Sequence, residues 1–243
     1  MSPPNAAQTA RERARAELTR EIREEARRQL AAVGANGLSL RAVARELGMV
    51  SSALYRYYPS RDDLLTALII DACNAIGAAA EAGAGAARAG TGAGAPARET
   101  WTAACRAIRA WAVANPHEYA LIYGSPVPGY RAPEATIGPA SRVPLAFASI
   151  LEAAVASGTA GASALSGTLA AQAAALAAAL PVTPGASDAP AIPADMLVRA
   201  VIAWTQLFGM ISFELFGQFV GSFEPADAFF DHAVAQLAAF IGL

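Results

Sequence analysis

The sequence contains no lysine and is poor in charge, cysteine and histidine. Its 243 residues include 18 basic residues, all arginine, and 20 acidic ones, so that only 16% of the chain is charged. Two cysteines without CxxC spacing, Cys73 and Cys105, and two histidines 115 residues apart, His117 and His232, do not form the ligand set of a zinc or iron site. The sequence therefore predicts no metal and no cofactor. It also predicts reduced, buried thiols in a cytoplasmic protein, since no signal-peptide pattern is present.

Motifs of common catalytic sites are absent as well. The chain has no GxSxG, no P-loop, no GxGxxG after a strand and no HExxH, so no residue is predicted to be catalytic and the protein is not expected to be an enzyme. The mean hydropathy of +0.34 raises the question of a membrane span. The most apolar segment has 14 uncharged residues between Arg199 and Glu214, whereas a span needs about 20. A buried helix is predicted there, with no membrane partner.

What is abundant is alanine within a composition that is 55% apolar. Alanine favours helix, and runs of β-branched residues with period-two alternation are missing, so the fold class is predicted to be all-α. Charge is unevenly distributed. Residues 1–65 hold 11 Arg and 8 acidic residues, which gives +3, and residues 66–243 hold 7 and 12, which gives −5. Only the N-terminal part is suited to a polyanion.

Composition also suggests how the chain is divided. Residues 1–60 are predicted to form an N-terminal domain, residues 61–81 a connecting helix, residues 82–98 a flexible Gly/Ala-rich segment, and residues 99–243 a helical C-terminal domain. In the last of these, helices are expected at about 98–115, 116–123, 139–157, 162–180, 194–221 and 225–242. Loops rich in glycine or proline are expected at 124–138 and 181–194.

The stretch SLRAVARELGMVSSALYRYYPSRDDLL, residues 39–65, has the pattern of a helix-turn-helix. Ser39 can cap a helix that runs to about Leu47, Gly48 supplies the turn, and a second short helix follows at about 51–57. The inner face is apolar, whereas the outer face of the second helix carries hydroxyls and a guanidinium that can bind phosphate or base edges. An ordinary helical hairpin with a polar face is the alternative.

Residues 38–65, with the elements LSLRAVARELGM and ALYRYYPSRDDLL, closely resemble the DNA-binding region of the TetR family of bacterial transcription regulators. The resemblance covers about residues 10–75. It implies a homodimer in which each N-terminal three-helix unit reads one operator half-site. It also implies a helical C-terminal domain that dimerises and binds an inducer.

From the residues and the resemblance together, a DNA-binding set is predicted within helix-turn-helix residues 39–58 and at the start of the next helix. It consists of Ser39, Arg41, Ser51, Ser52, Ala53, Tyr55, Arg56, Tyr57 and Arg61. Arg61 replaces a lysine that contacts phosphate in the family. Val50 stands where the family has a capping serine, and Ser51 is expected to take over that role.

The segment AWTQLFGMISFELFGQF resembles a subgroup named for a Trp-His-Gly signature, the WHG-type C-terminal domain. Trp204 and Gly209 match this signature, and Phe208 stands in place of the histidine. Aromatic and polar residues nearby are candidates for an apolar ligand pocket. They are Trp101, Trp111, His117, Tyr119, Tyr123, Trp204, Gln206, Met210 and Phe213. For each aromatic residue taken alone, plain core packing is the alternative.

The helix predicted at 194–221 is apolar nearly all round, which favours a dimer interface formed with the last helix. The interface candidates are Phe208, Ile211, Leu215 and Phe219. The resulting hypothesis is a homodimeric repressor that binds a palindromic operator in double-stranded DNA and is released by an apolar small-molecule inducer. The alternative is a DNA-binding dimer without a ligand, either constitutive or regulated by a partner.

Overall fold

A computed structural model of the chain describes residues 6–91, 96–158, 165, 167–179 and 191–243. All regular secondary structure in these residues is helical, and the all-α prediction is confirmed. The helices are α1 (Ala6–Gly37), α2 (Leu40–Glu46), α3 (Ser51–Leu54), α4 (Arg61–Thr91), α5 (Ala97–Ala114), α6 (Pro116–Tyr123), α7 (Ile137–Ala156), α8 (Gly167–Ala179), α9 (Ala194–Leu215) and α10 (Asp227–Ile241). A 3-10 turn at Glu134–Thr136 precedes α7.

The chain forms two compact units whose limits differ from the predicted domains. One unit runs to Cys73 and also includes His117–Ile137, and the other comprises Asn74–Pro116 and Gly138–Leu243. Residues 117–137 were expected to belong to the C-terminal domain. They belong to the first unit because Leu121, Val127 and Tyr130 pack against its apolar core.

The first unit is built around one face of α1. Ile22 and Ala26 are fully buried, and their side chains pack with Leu40, Val43 and Leu54 of the next two helices. The start of α4 completes this core with three leucines, Leu64, Leu65 and Leu68. The periodic stripe on α1 and the apolar inner face of residues 39–54 therefore bury each other, as the helix-turn-helix pattern requires.

The turn between α2 and α3 is a Schellman motif centred on Gly48. The N–H of Met49 donates to the carbonyl of Ala44 at 2.8 Å, and the N–H of Gly48 donates to the carbonyl of Arg45 at 3.1 Å. These bonds require a left-handed residue at position 48, where φ is +64°. A side chain there would have nothing within 4 Å, so the requirement for glycine lies in the backbone alone.

Helix α4 is longer than the sequence predicts. The glycine-dense residues from 82 onward were expected to be flexible, but α4 continues to Thr91. Gly77 and Gly83 on α4 both allow close helix packing. A Cβ on Gly77 would lie 2.5 Å from the Cβ of Arg142 on α7, and a Cβ on Gly83 would lie 2.6 Å from the carbonyl oxygen of Ala103 on α5. Tertiary contacts therefore offset the low helix propensity of glycine. Residues 92–95 lie outside the described part of the chain.

The second unit has its core between α5, α9 and α10. The buried stripe of α5 has the three- and four-residue spacing of an amphipathic helix. It consists of Thr100, Trp101, Ala104, Cys105, Ile108 and Ala112. Arg109 lies beside this stripe and joins the three helices, because it donates two hydrogen bonds to Glu214 on α9 and one to Asp227 on α10. Cys73 and Cys105 are both buried and unbridged.

Helix α9 is shorter than predicted. It ends at Leu215 rather than near residue 221, and Gly217 and Gly221 both have a φ of +76°, which interrupts helical geometry. Of the helix predicted at 162–180, residues 167–179 are helical, and residues 159–164, 166 and 180 lie outside the described part of the chain. Residues 181–190 of the loop predicted at 181–194 also lie outside it.

Two helical segments, Arg61–Gly90 and Ala194–Leu215, are long and apolar enough to cross a membrane by length and composition. Core helices of soluble proteins meet the same criterion. In the second segment Ala203, Leu207 and Ile211 are completely buried in the protein itself.

The Gly48 turn gives a direct test of the fold. We expect Gly48→Ala to lower the free energy of unfolding by about 1 kcal/mol, because a Cβ disfavours the left-handed backbone. The matched control is Gly85→Ala in α4, where a Cβ also meets nothing within 4 Å and the backbone is helical. This control should raise stability by about 0.5–1 kcal/mol. Urea titration followed by circular dichroism measures both, and wild-type stability for Gly48→Ala would contradict the assigned turn.

Candidate nucleic-acid interface

Ser39 is the N-cap of α2, as predicted. Its backbone is extended and its Oγ accepts a hydrogen bond from the N–H of Ala42 at 3.4 Å, while its own N–H donates to the side chain of Gln29. Ser39 is half-buried and serves as the cap that fixes where α2 starts.

The opposite side of the motif faces solvent. Arg41 on α2, Ser52 on α3, and Tyr55 and Arg56 just after α3 are exposed. Ser51, Ala53 and Tyr57 are half-buried at the edges of this surface. The structure therefore brings the predicted hydroxyls and guanidinium groups together on one side of the motif, above the buried residues Val43, Ala44 and Leu54.

Helix α3 is shorter than expected and lacks the predicted cap. It spans four residues, and the chain continues to Tyr58 through turns in which Tyr57 and Tyr58 both donate to the carbonyl of Leu54. Val50 occupies the N-cap position and is 70% exposed, with no side-chain hydrogen bond. Ser51 does not take over as the cap. It is the first residue of the helix, whereas a capping side chain accepts its hydrogen bond from the residue before the helix, which here is Val50.

Arg61 is engaged within the protein. Its Nη2 donates to the carbonyl oxygen of Ala35 at 2.6 Å, and its Nη1 lies 3.4 Å from the Oδ1 of Asp62. The side chain is only 32% exposed. Arg61 therefore ties the start of α4 to the end of α1, a structural contact that the resemblance did not indicate.

Two contacts around the motif were not found by sequence reasoning. The guanidinium of Arg15 on α1 lies over the ring of Tyr57, 5.5 Å from its centroid. Further along α1, the Nε of Arg23 donates to the hydroxyl of Tyr58 at 2.7 Å. The sequence shows that arginine is frequent on α1, but it does not show which residues these arginines contact.

A network of ion pairs continues from Arg23. Its Nη1 lies 2.9 Å from Asp71 on α4, and the same carboxylate is 2.7 Å from Nη2 of Arg27. The Nε of Arg27 in turn donates to Glu118 on α6 at 3.0 Å. Burial lowers the pKa of the Arg23 guanidinium, but the hydrogen bond with Tyr58 and the charge of Asp71 outweigh it, so that the pKa is raised.

The ligand candidates are divided between the two units. Tyr119 and Tyr123 pack on each other in the first unit, with ring centroids 5.2 Å apart, and His117 is exposed in the same segment. Burial, followed by the charges of Cys73 and Tyr119, raises the pKa of Tyr123 well above its usual range. These residues lie in a different unit from Trp101 and Trp204.

In the second unit, Trp101 is completely buried against Phe147 of α7, with ring centroids 4.6 Å apart. Trp204 packs edge-on against Phe208. Within the described residues, the indole N–H groups of both tryptophans are buried and lack a hydrogen-bond acceptor. A buried donor without an acceptor costs free energy, so these two groups stand out from ordinary core packing.

The remaining candidates vary in exposure. Trp111 and Met210 are half-buried, and Gln206 is exposed. Phe213 is 54% exposed on the outside of α9 rather than lining an interior. Those four positions do not share one environment within the second unit.

The predicted dimer residues need correction. Ile211 is fully buried and Phe208 is 8% exposed, because both side chains are used in the core of their own chain. Leu215 and Phe219 are half-buried. The apolar residues that α9 leaves exposed are instead Val201, Ile202 and Phe213.

Comparison with known proteins supports the interpretation of both parts of the chain. The family model described as bacterial regulatory proteins, tetR family, matches residues 22–68. A second model, the tetracyclin repressor-like C-terminal domain, matches residues 101–237. Its description names no Trp-His-Gly signature, so the WHG subgroup assignment stays a prediction.

Individual relatives agree with these matches. The HTH-type transcriptional regulator Rv1816 of Mycobacterium tuberculosis (strain ATCC 25618 / H37Rv) is 41% identical over 219 residues, covering 85% of this chain and 84% of the relative. The crystal structure of SCO4313 is 34% identical and superposes with a TM-score of 0.70, covering 98% of this chain and 100% of that one. A protein of unknown function from Rhodococcus sp. RHA1 shares the fold, with 23% identity, a TM-score of 0.64 and coverage of 92% and 93%.

The matched proteins are transcriptional regulators, a class without enzymatic activity, which confirms the prediction that the protein is not an enzyme. Both the DNA-binding region and the C-terminal region are matched, and an HTH-type regulator is similar over most of the chain. The chain therefore belongs to the TetR family of bacterial transcriptional regulators.

Proposed function

We propose that this regulator is a cytoplasmic homodimeric repressor that binds a palindromic operator and is released by an apolar small molecule. The observation that carries the DNA-binding part is the solvent face of the helix-turn-helix. Arg41 and Arg56 are exposed there and have no carboxylate partner among the described residues. Guanidinium groups left unpaired on such a surface are suited to phosphates and to guanine.

Each side chain on this face has a distinct use. Arg56 can donate two parallel hydrogen bonds to the O6 and N7 of guanine or to a phosphate. The hydroxyls of Ser52 and Tyr55 can donate to phosphate oxygens, which sets the orientation of the motif on the duplex. Sequencing the duplexes that the protein selects from a random pool tests this proposal. A twofold-symmetric consensus is expected, and a pool that stays random after selection would overturn it.

Substitutions on this face should weaken DNA binding without unfolding the protein. We expect Arg56→Ala to reduce operator affinity by about 1–3 kcal/mol if the residue reads a base, and Tyr55→Phe to reduce affinity similarly for all duplexes. The control is Arg106→Ala on α5, outside the motif, since Arg106 is 58% exposed and pairs with Asp231. Gel-shift titrations measure the effect. If Arg106→Ala were as damaging as Arg56→Ala, the assigned contact face would be wrong.

For the dimer, the proposed interface is the exposed apolar side of α9 together with α10. Ile202 and Phe213 are 42% and 54% exposed, and their eleven-residue separation places them on one side of α9. Phe240 near the end of α10 is 45% exposed. Two copies of this pair of helices would bury the apolar surface in a four-helix bundle.

Charge placed on that surface should separate the dimer. Phe213→Arg and Ile202→Arg are expected to give folded monomers with weakened operator binding, because an unpaired charge in an apolar interface is costly. Val113→Arg on α5, at a position that is 49% exposed, is the control for adding arginine at an apolar surface site. Sedimentation velocity gives the oligomeric state. If both α9 variants dimerised with the same affinity as the wild type, the interface would not lie on this surface.

The proposed inducer would bind in the second unit, near the two unpartnered indoles. The N–H groups of Trp101 and Trp204 could donate to an acceptor on an otherwise apolar ligand. A ligand shifts an equilibrium only by its differential affinity for two states. Helix α4 carries Asp71 and continues to Thr91, so a displacement of α4 would act on Arg23 and Arg27 through the ion pairs.

Reciprocity makes the inducer hypothesis measurable. A compound from an apolar library that releases the operator should bind the free protein about 5–150-fold more tightly than it binds the DNA complex, which corresponds to about 1–3 kcal/mol of coupling. Trp101→Phe and Trp204→Phe should weaken its binding, since each removes one N–H donor. Calorimetric titration with and without operator measures both effects.

The competing function is a DNA-binding dimer without a small-molecule ligand. It is favoured by the tight packing of Trp101 on Phe147 and by the division of the candidate residues between two units. Equal compound affinity with and without operator, together with unchanged affinity in both Trp→Phe variants, would support this alternative.

A further inference from the structure

One side of α1 changes character along its length. Arg11, Arg15, Leu18 and Ile22 follow one another at spacings of four, three and four residues, so they lie on the same side of the helix. Ile22 is fully buried in the helix-turn-helix core and Leu18 is half-buried, whereas Arg15 and Arg11 are exposed. The stripe that packs α1 onto the motif therefore becomes cationic where α1 extends beyond the core.

Arg15 lies close to the DNA-binding face. Its guanidinium is 5.5 Å from the centroid of the Tyr57 ring, and Tyr57 lies directly after the exposed residues Tyr55 and Arg56. A contact with the face of an aromatic ring uses the positive charge of the guanidinium and none of its five N–H donors. The ring thus places Arg15 beside the motif and leaves its donors available for oxygen acceptors.

The arginines of α1 fall into two groups according to their partners. Those from residue 20 onward each pair with at least one carboxylate: Arg20, Arg23, Arg27 and Arg28. The earlier ones have no carboxylate partner among the described residues: Arg11, Arg13 and Arg15. The first group contributes to the folded structure, whereas the second, which has Glu12 among its three arginines, adds net positive charge next to the motif.

We propose that Arg15 and Arg11 bind operator phosphates outside the half-site that α3 reads. This inference rests on the proposed DNA-binding function and extends the contact surface to residues that precede the family match at 22–68. Guanidinium groups donate in a planar fork that matches two phosphate oxygens. Arg13, two positions from each, lies on the other side of α1 and does not contact the DNA.

The test is the salt dependence of operator binding. The dissociation constant of the full-length protein for its selected duplex is measured between about 0.05 and 0.3 M salt. In a plot of log affinity against log salt concentration, each phosphate contact contributes about 0.9 to the slope. Arg15→Ala and Arg11→Ala should each lower the slope by about 1.8 units in a dimer, which loses two contacts. Affinity at 0.1 M salt should fall by about tenfold or more.

Arg13→Ala is the matched control, because it removes the same charge from the same part of the same exposed helix. Its slope should stay within about half a unit of wild type. If Arg15→Ala shifts the thermal unfolding midpoint, Arg15→Gln replaces it, since glutamine keeps most of the aliphatic stem without the charge.

The proposal is overturned if the Arg15 and Arg11 variants keep the wild-type slope. It is also overturned if Arg13→Ala lowers the slope equally, because that result indicates a diffuse field rather than specific contacts. Failure of the proposed DNA-binding function looks different, since the wild-type protein would then bind selected and scrambled duplexes with equal affinity.

Discussion

The ion pairs of Asp71 tie helix α4 to helix α1 in the first unit. The Asp71 carboxylate accepts from Arg23 at 2.9 Å and from Arg27 at 2.7 Å, so one half-buried acid on α4 fixes two arginines of α1. Arg23 also donates to the hydroxyl of Tyr58, which follows α3, and Arg27 also donates to Glu118 on α6. Removing this acid would leave Arg23 without a carboxylate and Arg27 with Glu118 alone, in a region of restricted solvation where unpaired charge is unfavourable.

That network explains why a slightly acidic protein can carry a basic DNA-binding part. Four of the seven arginines of α1 pair with carboxylates within the fold. Within the described residues, the arginines of α1 and the motif without a carboxylate partner are Arg11, Arg13, Arg15, Arg41 and Arg56. Net charge alone would have hidden this division, since residues 1–65 sum to only +3. Local pairing therefore separates the arginines more clearly than total charge does.

Sequence patterns predicted the helices best where local rules act, as at the Ser39 cap and the Gly48 turn. They failed where distant contacts decide. Glycine density at residues 82–91 suggested a flexible segment, although Gly83 there allows α5 to approach α4 closely. The apolar circumference of α9 indicated a dimer surface but could not show that Ile211 faces its own core and Phe213 faces solvent. The phosphate contact that the resemblance implies for Arg61 stays a prediction, whereas the bond to Ala35, a partner 26 residues away, could not be read from the sequence.

The central claim is that two copies of the α2–α3 face bind one duplex with twofold symmetry. Hydroxyl-radical footprinting of the selected operator tests it most directly, because it maps the protected sugars on both strands. We expect two protected patches related by a dyad, with centres one helical turn apart, ~34–36 Å, or somewhat further. A single patch without symmetry, or uniform cleavage along the duplex at saturating protein, would contradict it.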